Sequence, residues 1–175
     1  MKTIEKVKYI FDQIRGINDE PSARAGLPES EILNSFQTIG LRPPSDIVDL
    51  YKWHNGIDNL NAFTHFLSLD DAVTIYKGYK ELKRELPAFG WKRNWFPILD
   101  TNGDIQHCVD VETAAVIAID LECDSMDTIS THYEIYLDAL IYGFKKNRFV
   151  FNDASGAIET DEHSWSEVSN RFNIQ

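Results

Sequence analysis

Asp100-Thr101-Asn102-Gly103-Asp104 sets oxygen-bearing side chains at the first, third and fifth positions of a calcium-binding EF-hand loop. Carboxylate and amide oxygens at that spacing suit a hard cation. The later positions do not follow: Ile105 stands where the loop needs glycine, and Val111 where a bidentate glutamate would close it. Both flanks read as strand, so the segment is expected to be an Asn-Gly hairpin turn. Asp110, Asp120, Glu122, Asp124 and Asp127 form a wider carboxylate set that could serve magnesium or acid–base chemistry. Such a site needs a cationic or neutral partner for developing charge. No Lys or Arg occurs between residues 100 and 144, so no catalytic and no metal residue is assigned.

Other chemistries find less. The five histidines are scattered without ligand spacing, and Cys108 and Cys123 form no C-x-x-C pair. Both cysteines lie in the stretch without cations, where carboxylates raise rather than lower a thiol pKa. Gly-rich phosphate loops, H-E-x-x-H and G-x-S-x-G are all absent. No cofactor and no enzymatic activity are expected.

Charge carries more information. The chain has 28 acidic and 17 basic residues, a formal net of −11. Phosphate backbones repel such a protein, which argues against a direct nucleic-acid partner. Residues 1–99 are balanced, at 13 acids and 13 bases, whereas residues 100–144 hold ten acids and no base. Two readings account for that stretch: a solvated sheet face that maintains solubility, or a protein-binding surface. For the second, Asp110, Asp120, Glu122, Asp124 and Asp127 supply the charge. Trp91, beside Gly90 and Lys92-Arg93, is the candidate exposed aromatic anchor.

The elements that would position these residues follow from periodicity. Helices are expected near Thr3–Ile14, Glu29–Ile39 and from Ser45 through Tyr51, the last stopping at His54-Asn55-Gly56. Ser68-Leu69-Asp70-Asp71 and Thr131-His132-Tyr133-Glu134 have capping-box spacing and open two more. Trp95–Leu99, Ile105–Val111 and Ala115–Leu121 read as strands, with a short strand near Phe149–Phe151 and a last helix near Ser164–Phe172. Alternation gathers Ile105, His107 and Val109 on one side of their strand, and Ile117 and Ile119 on one side of theirs. The reading is one apolar face under helices and an opposite acidic face. The 175 residues, 43% hydrophobic, make one α+β domain. Its antiparallel meander is expected to be packed on one side by the amino- and carboxy-terminal helices. No membrane span or signal peptide is apparent, and a reduced, cytoplasmic location is expected.

The order of these segments resembles the SUKH superfamily, the Smi–Knr-type domains. Gly26-Leu27-Pro28-Glu29, Ile39-Gly40 with Pro43-Pro44-Ser45-Asp46-Ile47, and Leu50-Tyr51 before His54-Asn55-Gly56 are similar to successive family motifs. So are Phe66-Leu67-Ser68-Leu69-Asp70-Asp71-Ala72, Trp95-Phe96-Pro97-Ile98, Gly103-Asp104, Val109-Asp110 and the aromatic run Tyr133–Ile141. The likeness covers about residues 26–144; Pro43 stands where the family has leucine, and residues 145–175 form an extension without a matching motif. The resemblance implies a non-enzymatic immunity protein that binds and neutralises a cognate toxin, often a basic nuclease. Fungal members suggest the alternative, a regulatory scaffold in cell-wall synthesis or signalling.

Overall fold

The helical spacing of Ile4, Val7, Phe11 and Ile14 produces α1, Thr3–Ile17, in a computed structural model that describes all residues from Met1 to Gln175. A short strand, β1 (Ser22–Ala25), precedes α2 (Glu29–Ile39). Gly40 ends α2 with a left-handed φ of 74°, a conformation that a residue without Cβ adopts at little cost. Helix α3 (Ser45–Trp53) begins at Ser45, with Pro44 in the N-cap position and no side-chain capping bond. Gly26 crosses this helix so closely that a Cβ there would lie 1.9 Å from the Lys52 carbonyl oxygen.

His54-Asn55-Gly56 stops α3 as expected and also opens β2 (His54–Asn61), which turns into β3 (Thr64–Phe66). The Ser68 hydroxyl then accepts the Asp71 N–H at 3.2 Å and starts α4 (Leu69–Glu85). Four strands follow: β4 (Trp95–Thr101), β5 (Ile105–Asp110), β6 (Val116–Asp120) and β7 (Ser125–Ser130). Helix α5 (Tyr133–Lys145) is capped one residue later than expected, with His132 Nδ1 accepting the Glu134 N–H at 3.2 Å. A hairpin of β8 (Val150–Asn152) and β9 (Ala157–Glu159) leads to α6 (Glu162–Phe172), capped by Asp161. Asn61 bonds both backbone groups of Ile158, at 3.1 and 2.7 Å, and so fastens that hairpin to β2.

Strands β1 to β7 form one antiparallel sheet in chain order. The expected α+β meander is present, and the terminal helices α1, α5 and α6 pack on one another as a layer. Lys6, itself buried, holds α1 to α5 through Asp138 at 2.8 Å. The register corrects the expected faces. Cys108 pairs with Ile117 and Gln106 with Ile119, while His107 pairs with Ala118 and Ile105 with Asp120. Residues directly opposite share a face, so the two apolar strand sets point to opposite sides of the sheet. Cys108, Ile117 and Ile119 join Phe36, Tyr76 and Tyr79 in the main core beneath α2 and α4. The Tyr79 hydroxyl donates to the Gln106 side-chain oxygen there. His107, Val109 and Val116 face α1 and α5 instead. Helices cover both sides, and no whole face is left to acidic residues.

Candidate protein-binding surface

An antiparallel meander returns alternate connections to the same end. The β3–β4 link through α4 and the β5–β6 turn lie at one end of the sheet. The β2–β3, β4–β5 and β6–β7 turns therefore meet at the other. Backbone bonds join the three: the Asn102 N–H donates to the Phe63 carbonyl at 3.0 Å, and the Leu121 N–H to the Asp104 carbonyl at 3.0 Å. The tight reversals use left-handed residues, with φ of 59° at Phe63, 60° at Asn102, 82° at Gly103 and 51° at Asp124. Asp100 organises the middle turn, accepting the Gly103 N–H at 3.1 Å and the Gln106 side-chain N–H at 2.6 Å. The Asp-Thr-Asn-Gly-Asp segment is thus the hairpin turn its Asn-Gly pair indicated.

This end projects two apolar side chains, Phe63 at 64% and Leu121 at 43% exposure. Around them stand Asp104, Glu122, Asp124 and, on β7, Asp127, all exposed. None of the four makes a salt bridge; the molecule's seven ion pairs lie elsewhere. Asp120 is half-buried at the base of the β6–β7 turn and accepts the Cys123 N–H at 2.8 Å. That bond holds its carboxyl below the usual range. The Asp120 carboxylate in turn pushes the Cys123 thiol up, through an interaction with the thiol itself and through its charge. Burial does the same to Cys108, so neither sulfur is poised as a thiolate nucleophile.

Of the six expected binding residues, the structure gathers Asp120, Glu122, Asp124 and Asp127 on and beside the β6–β7 hairpin. The other two are corrected. Asp110 sits at the opposite end of β5, is 6% exposed, and receives the Glu112 and Thr113 N–H groups at 2.9 and 3.0 Å. Burial alone would raise its carboxyl, but those bonds and one from Asn94 outweigh it and hold the pKa below the ordinary value. It is a turn-forming residue. Trp91 is 4% exposed and lies beneath α4, 5.2 Å from Tyr76 edge-on and 6.2 Å from Tyr79. The cations beside it in sequence do not make it an external anchor, because its ring belongs to the aromatic core. Phe63 and Leu121 take that outward role, and only the turn residues around them could have marked them in the sequence.

Groups of three or more metal-ligating side chains do not converge anywhere in the chain. Three of the five histidines serve local structure: His54 contacts the Arg24 carbonyl, His65 accepts the Asn59 N–H, and His132 caps α5. No helix is long and apolar enough to cross a membrane. No protein-family model matches the chain, and no curated protein matches it.

Proposed function

We propose that this protein is a non-enzymatic, cytoplasmic immunity protein of the SUKH kind, which neutralises a basic toxin domain by docking it on the acidic end of the sheet. One observation carries the reading. Three hydrogen-bonded turns hold exposed carboxylates without a cationic partner around two outward apolar side chains, Phe63 and Leu121. Protein interfaces combine an apolar anchor with a charged rim in this way. Complementary charge also speeds association and excludes wrong partners. A nuclease domain is basic where it grips phosphates, so an acidic protein covering that surface would occlude substrate. The docking set is Asp104, Asp120, Glu122, Asp124 and Asp127 with Phe63 and Leu121; Asp110 and Trp91 are not part of it.

The test is affinity capture from a lysate of the native source with salt elution, followed by co-expression of each retained protein with this chain. A stoichiometric basic partner whose toxicity the chain suppresses is the expected result. Retention of non-toxic cell-wall or signalling proteins would replace the immunity reading with a scaffold.

A further inference from the structure

Strand β7 is one edge of the sheet, paired with β6 alone, and the chain enters it from the acidic β6–β7 turn. The register of its neighbours fixes which of its backbone groups are free. In an antiparallel ladder, residue pairs that exchange both backbone bonds alternate with pairs that exchange none. Between β5 and β6 the Asp110 N–H donates to the Ala115 carbonyl at 2.9 Å, and the Leu121 N–H to the Asp104 carbonyl at 3.0 Å. Ile117 and Ile119 therefore spend their backbone groups on β5, and Ala118 and Asp120 spend theirs on β7. Opposite those two stand Asp127 and Ser125. Met126 and Thr128 are left to aim N–H and C=O away from the sheet.

Neither backbone makes a hydrogen bond on that side. The edge is bounded at one end by the Ile129 carbonyl, which takes the Gln175 N–H at 2.9 Å. At the other end the left-handed Asp124, φ 51°, turns the chain away. A row of free backbone groups is a template for another strand, and charge selects which strand. On an added antiparallel strand, the residue opposite Asp127 falls in a pair without mutual bonds, where Cα atoms stand only about 4.5 Å apart. A like charge there is destabilising and an opposite charge favourable. A second copy of β7, paired about its own centre, would set Asp127 against Asp127. Asp127 is exposed and makes no salt bridge. The other edge strand, β1, differs, because its Arg24 lies 2.9 Å from Asp58 and is already paired.

We propose that the outer edge of β7 takes up an extended basic segment of the partner as an added antiparallel strand, with a Lys or Arg directly opposite Asp127. This rests on the reading of the acidic end as the docking surface for a basic protein, and it specifies how that protein is held.

The probe is the end-blocked peptide Thr-Lys-Val-Lys-Val-Lys-Thr, whose lysines share one face of a strand. It is titrated into the full chain by NMR beside two relatives, one with Glu for Lys and one N-methylated on both valines. The parent peptide is expected to saturate at millimolar concentration, to shift the Met126, Asp127 and Thr128 amides, and to slow hydrogen exchange at Met126 and Thr128. N-methylation keeps every charge and removes the donors to the Met126 and Thr128 carbonyls, so affinity should fall about tenfold or more. The Glu peptide should not saturate. Thr128→Pro removes an outward N–H that β6 does not use, which an edge strand tolerates, and should weaken the parent peptide likewise. If that variant fails to fold by its amide spectrum, the N-methyl comparison decides alone. Strand addition is overturned if the parent peptide does not saturate, if its shifts fall away from β7, or if the N-methylated peptide binds as tightly. In that last case the acidic end still docks a basic chain by charge, and only the added strand falls. A captured partner that is not toxic would instead end the immunity reading and leave the peptide result standing.

Discussion

Both ends of the sheet use a carboxylate to build a turn, but they differ in how many carboxylates they leave unpaired. Where β5 turns into β6, Asp110 is buried and its oxygen takes two backbone N–H groups. At the far end Asp104, Glu122 and Asp124 are exposed, and their side chains bond nothing in the molecule. Elsewhere, Glu134 and Asp138 are spent on Lys6. Net negative charge is therefore not one property of residues 100–144. Part of it builds turns and helix contacts, and most of the remainder is left unneutralised at the far end. Self-repulsion there opposes folding.

Substitutions can break or sharpen that contrast. Trp91→Ala should have the largest effect, about 3–5 kcal/mol in urea unfolding, as removal of a core indole does; an exposed anchor would cost almost nothing. Asp110→Ala should lose about 2 kcal/mol, because two turn N–H groups lose a charged acceptor. The pH dependence of Asp110→Asn sharpens the point. The wild-type carboxyl is held below its ordinary value, so its contribution is complete above about pH 3.9. It disappears as pH falls through the lower folded-state value, and wild type and Asp110→Asn should converge in acid. Lys6→Met keeps the buried stem and removes the ammonium from two half-exposed carboxylates, so a smaller loss of about 1 kcal/mol is expected. Paired Glu122→Lys and Asp124→Lys should leave the urea midpoint unchanged at high salt and raise it slightly at low salt, where repulsion is least screened.

Much of the fold was legible because its signals are local. Gly40, the Ser68–Asp71 cap and the Asn102-Gly103 turn sit where their backbone chemistry requires. β2 was missed because His54–Asn61 shows no apolar alternation and is specified by pairing with β1 and β3. The face error had one cause: alternation orders residues within a strand, and only cross-strand register says which sets coincide. Trp91 misled for a similar reason, since two neighbouring cations in sequence say nothing of Tyr76 and Tyr79 arriving from α4. The charge of the candidate surface could be read directly. Its gathering with Phe63 could not, because that contact joins turns 39 residues apart through the Asn102–Phe63 bond.

The central claim is that the unneutralised acids at the turn end capture a basic protein. It is tested most directly by the association rate of the captured partner with wild type and with the Glu122→Lys/Asp124→Lys chain across a salt series. The wild-type rate should fall steeply with salt, and the reversed chain should associate at least about tenfold more slowly at low salt with a flatter dependence. Superimposable curves for the two chains would contradict the assignment of that end as the docking surface.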